Sequence, residues 1–106
     1  MKIKEINRCG IFFDNGNAIT YGYDPECYED NYPDFLQLEH TGIEDEEFSE
    51  DLEFEELESG FRFGSWGNMF YVPCYSYQNG YYSNCLDIFY NGKKVFVIAG
   101  EIVEEY

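Results

Sequence analysis

Three Asn-Gly dipeptides, Asn15-Gly16, Asn79-Gly80 and Asn91-Gly92, constrain this chain more than any other feature. Asn and Gly tolerate positive φ, so the pair favours the tight type I′ turn, whose twist matches that of two antiparallel strands. Each dipeptide is flanked by aromatic and β-branched residues, the setting a hairpin requires. The first predicts a hairpin between residues 10–13 and 18–23. The other two predict a C-terminal meander of three strands, 69–77, 81–90 and 94–103. The expected class is therefore a mainly β domain built on a small antiparallel sheet, with α+β as the alternative.

Two-residue turns fix register, so the faces of the meander follow from counting outward. Cys74 falls opposite Cys85 and Phe70 opposite Phe89, while Cys85 falls opposite Ile98 and Asp87 opposite Phe96. One face then carries Phe70, Val72, Cys74, Cys85, Phe89, Phe96 and Ile98, the expected core. The other carries Tyr71, Tyr75, Tyr77, Tyr82, Leu86, Ile88, Tyr90, Val95 and Val97, the expected half-wet face, because a tyrosine hydroxyl seeks water or a partner. Pro73 has no N–H for a ladder, so residues 69–77 read as an edge strand or a bulged one. An edge there could pair with a second copy across a two-fold axis, which leaves a homodimer open.

Between the hairpins the pattern changes. Residues 24–34 hold Pro25, Pro33 and a cluster of carboxylates, and read as an ordered acidic loop. Ile43, Glu47, Phe48 and Leu52 stand near helical spacing with acids at the N-terminal end, which suits a helix dipole and predicts at most one short helix over 43–52. Residues 52–57 alternate as a strand would, and Phe61-Arg62-Phe63 after Gly60 continues that pattern.

The 106 residues suit one domain, 1–106, with one core. Aromatic residues make up 21% of them, and rings bury enough area each for a short chain to build a substantial core. The net charge is -16, and residues 9–61 hold 17 of the 22 acids without one Lys or Arg. Such a one-sign block reads as a solvated or interacting face. It disfavours direct binding to nucleic acid, whose phosphates need cations, and equally to an anionic membrane. No apolar run approaches a membrane span and no signal-peptide pattern follows Met1, so the expected compartment is the cytoplasm, with reduced cysteines.

The inventory for catalysis is thin. His40 is the single histidine, and nothing in the sequence places it beside Cys27 as a nucleophile pair. Phosphate-binding glycine loops are absent, since the stretch 60–67 lacks a lysine. The carboxylates of 24–34 are hard oxygen donors, but the calcium-loop pattern with its central glycine is missing, so a solvated loop is the better reading. Cys74 opposite Cys85 reads as two buried thiols rather than a disulfide. The expected protein is not an enzyme and uses neither cofactor nor metal.

Glu26-Cys27-Tyr28-Glu29 followed by Tyr32-Pro33-Asp34-Phe35 lies just after the first hairpin. Residues 11–38 thereby resemble a group of small phage and prophage proteins with an acidic Asp-Cys-Cys-Glu segment and a Tyr-x-Asp-Phe-like element. Tyr28 stands where that group has its second cysteine. The resemblance implies a mobile-element origin. With the charge map, it leads to the expectation of an inhibitor that binds a basic, nucleic-acid-binding host protein in the host cytoplasm, in the manner of an anti-CRISPR or other anti-defence protein. Closely spaced carboxylates would offer its Arg and Lys side chains a phosphate-like pattern. The candidate contacts are Asp24, Glu26, Glu29, Asp30, Asp34, Glu44, Asp45, Glu46 and Glu47, with Tyr75, Tyr77 and Tyr82 as a further aromatic face. The alternative function is sequestration of a small ligand, a nucleotide or sugar, in an aromatic pocket.

Overall fold

The computed structural model describes residues 1–25, 29–80 and 82–104. Its described residues form ten strands in two five-stranded sheets. The first sheet has the order β1 (Ile3–Asn7), β2 (Gly10–Phe13), β3 (Ala18–Gly22), β8 (Cys85–Tyr90), β9 (Lys93–Ala99), and every neighbouring pair is antiparallel. The second is organised on the eleven-residue strand β7 (Asn68–Gln78). Its first half pairs with β6 (Gly60–Ser65), which in turn pairs with β5 (Glu53–Leu57). Its second half is flanked by antiparallel β4 (Asp30–Pro33) and parallel β10 (Glu101–Glu104). The fold is mainly β, as the turn signals predict.

Phenylalanines join the two sheets. Phe61 on β6 meets Phe96 on β9 with ring centres 5.8 Å apart, and Phe54 on β5 meets Tyr90 on β8 at 5.5 Å. Phe48, between the sheets, touches Phe13 of one and Phe63 and Phe70 of the other, at 5.7, 6.0 and 5.8 Å. Each such burial stabilises the fold by roughly 1.5–3 kcal/mol, which helps offset the self-repulsion of a highly charged chain.

The expected helix over 43–52 is not formed. A single 3-10 turn, Ile43–Asp45, stands at its start instead, and another, Phe35–Leu38, precedes it. A helix of that length is marginal by itself. Here its middle is pinned elsewhere: the Phe48 N–H donates to the Met1 carbonyl (2.7 Å) and the Met1 ammonium to the Phe48 carbonyl (2.7 Å). Phe48 is thereby held against the start of the first sheet, with its ring in the core.

The C-terminal meander is corrected in two respects. Asn91 (φ 53°) and Gly92 (φ 80°) are both left-handed and close the β8–β9 hairpin as expected, with Tyr90 facing Lys93. Register then slips by one at Val95, so that Ile88 faces Phe96, Leu86 faces Ile98 and Cys85 faces Ala99. A one-residue slip exchanges the faces of a strand relative to its partner. Leu86 and Ile88 accordingly lie in the core and Cys85 is exposed, the reverse of the expectation, whereas Val72, Cys74 and Ile98 are buried as expected.

The second correction is larger. β7 and β8 do not pair at all, because they belong to different sheets. Cys74 therefore does not face Cys85, and both are free thiols. Residues 69–77 are an edge strand only in their first half, which pairs with β6 alone. β4 and β10 occupy the Cys74–Gln78 half, which closes the edge that a second copy would have used there. Pro73 sits where the partners change: Gly60 faces it from β6, and its carbonyl accepts the Asp34 N–H (2.8 Å) as β4 ends.

A buried polar cluster holds the crossing from β7 to β8. Asn31, Ser76 and Gln78 are sealed from solvent, and the Ser76 hydroxyl donates to Asn31 Oδ1. Gln78 Nε2 donates to Ser76 Oγ (2.7 Å), while Gln78 Oε1 accepts the Tyr82 N–H (2.8 Å). Asn31 Nδ2 donates to the carbonyls of Ser83 (3.0 Å) and Cys85 (3.2 Å). These amides supply partners that a ladder between β7 and β8 would have supplied, which is why the chain can leave one sheet for the other.

A tyrosine row and an acidic cleft

β4 was expected as loop, because Pro33 interrupts an acidic stretch. Pairing with β7 instead imposes strand alternation on it, turning Asn31 and Pro33 inward and Asp30 and Tyr32 outward. The same alternation on β7 turns Tyr71, Tyr75 and Tyr77 outward, with Tyr71 and Tyr77 41% and 39% exposed. Tyr32 stands directly opposite Tyr75, and its ring lies 5.9 Å from that of Tyr75 and 5.9 Å from that of Tyr77. The Tyr32 and Tyr77 rings are parallel to within 5°. Parallel β10 sets Glu101 beside Tyr75 and Val103 beside Tyr77.

A cleft of about 500 Å³ opens at the end of this row. Tyr32 and Tyr77 form one wall; Tyr21 from β3 and Phe35 from the first 3-10 turn, whose rings lie 6.2 Å apart, form another. Asp30 and Asp34 supply its carboxylates, and Arg8, in the turn between β1 and β2, is the basic residue of its lining. The backbone of that turn is fixed by Asn7, whose Oδ1 accepts the Cys9 N–H (2.8 Å). Burial pushes the Tyr32 hydroxyl up to about 12, assisted by its hydrogen bond with Tyr77 and the charges of Asp34 and Asp30. Burial and Asp30 raise Tyr21 in the same direction.

Among the described residues, ion pairs form at Arg62–Glu55 (2.6 Å), Lys94–Asp87 (3.5 Å) and the N-terminus with Glu47 (3.6 Å). None involves Arg8, Asp30 or Asp34. The cleft therefore holds two carboxylates and one guanidinium, without a bond between them.

The expected contact residues divide into two groups on different elements. Asp24 and Asp30 are exposed, and Asp34 is half-buried at the cleft. Glu44, Asp45 and Glu47 are exposed around the second 3-10 turn, which packs against β1; half-buried Glu46 accepts from Asn68 Nδ2 (2.8 Å). Glu29 departs from the expectation, since it is 8% exposed and so offers little surface to a partner. Glu26 lies outside the described residues. Tyr75 and Tyr77 share the tyrosine row, but Tyr82 belongs to the crossing loop and is half-buried there. Tyr32, Tyr21 and Arg8 were missed as a group; the alternation of Asp30 and Tyr32 with Asn31 and Pro33 was the signal that could have recovered the first.

His40 is exposed on a left-handed backbone (φ 63°), and Cys27 lies outside the described residues. Burial pushes the Cys74 thiol up to about 12, far from a reactive thiolate. Among the described residues no three His, Cys, Asp or Glu side chains gather as metal ligands, and no helix is long and apolar enough to cross a membrane. No family model, curated protein or solved structure matches the chain.

Proposed function

We propose that this is a non-enzymatic binding protein that docks its acidic surface on a basic, nucleic-acid-binding surface of another protein and so inhibits it. The observation that carries the reading is the lack of internal neutralisation. Asp24, Asp30, Asp34, Glu44 and Asp45 make no ion pair with any described residue, although the chain has a net charge of -16. Uncompensated carboxylates repel one another at a cost to stability, and a basic partner relieves that cost on binding. The mobile-element origin rests on the resemblance of residues 11–38, and an anti-CRISPR-like role in a host cytoplasm rests on that resemblance together with the charge map.

The test is competition. Basic DNA-binding domains, each preloaded with labelled duplex DNA, are titrated with the protein at low and at physiological salt. The expected result is displacement of DNA from at least one of them, with association slowed by salt more than dissociation is hastened. Replacing Asp24, Asp30, Glu44 and Asp45 by Lys should abolish displacement while the folded signal persists, because exposed substitutions change stability little. Displacement that ignores these substitutions would end the proposal.

The cleft favours a second reading, a small neutral ligand held between rings. About 500 Å³ with several aromatic walls is the size and lining of a ligand site. Thermal stabilisation by nucleosides or sugars, unaffected by the four Lys substitutions, would support it in place of the first.

A further inference from the structure

We propose that the cleft at the end of the tyrosine row is a receptacle for an arginine side chain of the basic partner, stacked on Tyr32 and Tyr77 and paired with Asp30 and Asp34. This rests on the docking reading above and specifies where and how the partner is recognised.

The argument begins with charge. Asp30 and Asp34 outnumber Arg8 in the lining, so a cation is favoured there over a phosphate or a carboxylate. It continues with shape. Tyr32 and Tyr77 carry parallel rings 5.9 Å apart, and together they form an aromatic wall with a single orientation. The face of such a ring is negative and attracts a cation placed over it.

A guanidinium meets both demands at once. It is flat, so it lies against a ring; its N–H groups point outward in its own plane, toward carboxylates at the edge. It is also more weakly hydrated than an ammonium, so entering a half-buried cleft costs it less water. A lysine would satisfy Asp30 and Asp34 as a point charge but would gain less from the rings. The cleft is thus a device for reading arginine apart from lysine, which a diffuse acidic surface cannot do.

Arg8 fits this arrangement as a built-in competitor. It lines the cleft, is exposed, and makes no ion pair with either aspartate. An incoming guanidinium meets its repulsion, so its removal should improve binding rather than damage it.

The experiment uses the whole protein and two probes of equal length and charge, a tetra-arginine and a tetra-lysine peptide, with affinities measured at low salt. The arginine peptide should bind about three- to fivefold more tightly, the ratio expected for one exposed cation–π contact. Tyr77→Leu, or Tyr32→Leu, should remove that preference while leaving the lysine peptide's affinity unchanged, and Tyr77→Phe should retain it. Asp30→Asn with Asp34→Asn should weaken both peptides, and Arg8→Ala should tighten the arginine peptide. Equal affinities for the two peptides, or a preference that survives both leucine variants, would overturn the receptacle. Free arginine amide binding as tightly as the peptide would also overturn it, in favour of a metabolite pocket. If the peptides bind equally and the four Lys substitutions abolish both, the acidic docking surface stands and the receptacle alone fails. If neither peptide binds at low salt, both fall together.

Discussion

Two copies of one dipeptide have opposite fates in this molecule. At Asn91-Gly92 both residues take left-handed φ and the flanking strands pair, so the local preference is realised in full. At Asn79-Gly80 only the glycine is left-handed (φ 96°), and the flanking strands diverge into different sheets. The difference lies outside both dipeptides. Inward positions beside Asn91-Gly92 are apolar, so pairing β8 with β9 adds to the core. Inward positions before Asn79-Gly80 are Ser76 and Gln78, whose polar atoms find satisfaction only with Asn31 and the crossing loop. A turn signal proposes a hairpin, and the side chains behind it decide whether one forms.

The strongest test of that contrast is to remove the polar cluster. Asn31→Ala takes away both donors to the Ser83 and Cys85 carbonyls and the acceptor for Ser76, and should cost about 2–4 kcal/mol, read as a lowered midpoint in urea unfolding. A loss below about 1 kcal/mol would mean that the cluster does not hold the crossing.

Asn91→Ala should come next, at about 1–2 kcal/mol, because alanine resists the left-handed backbone and Asn91 Oδ1 no longer accepts the Ala18 N–H (2.9 Å). The same unfolding measurement applied to Asn79→Ala should show less than about 0.5 kcal/mol, since that residue is exposed and not left-handed. Equal costs at the two asparagines would erase the distinction drawn between the turns.

Cys74 and Cys85 mark the two sides of the crossing. A maleimide should label exposed Cys85 in the native protein and reach buried Cys74 only on unfolding. Equal labelling of the two would restore the paired meander. Cys74→Val should change stability by less than about 1 kcal/mol at neutral pH, and its effect should emerge only in alkali. The folded thiol titrates at about 12 and the unfolded one near its ordinary 9.0. Between those values the unfolded chain has released a proton that the folded chain still holds. Stability is thus fully present below pH 9 and falls as pH rises toward 12. The valine variant should lack that part of the decline in a pH series of thermal melts.

What the sequence discloses follows the same division between local and distant causes. The mainly β class, the β8–β9 turn, the strands over 53–65 and the faces of β7 and β9 are legible, because each depends on neighbours in the chain. The crossing is not, because Asn31 acts on residues 45 to 54 positions away. The Val95 slip is equally hidden, for a bulge leaves no mark in a run of Lys, Val and Phe that alternates well without it. Pro33 concealed β4, and with it Tyr32. So Asp30, Asp34 and Tyr77 could be singled out as candidates, while the cleft that unites them with Arg8 and Tyr21 depends on the packing of two sheets.

Each sheet takes strands from widely separated parts of the chain: β1, β2 and β3 wait for β8 and β9, and β7 waits for β10. During synthesis, then, no completed sheet exists until residue 99 has left the ribosome, and the second must wait for residue 104. Until that moment β7 carries an open edge along Tyr75–Gln78, ready to accept any extended segment that lies nearby. The parallel strand that finally occupies it acts as a latch, and a neighbouring chain's copy of the same strand is the nearest substitute. Crowded translation of one message by several ribosomes is the circumstance in which this protein would most readily exchange strands.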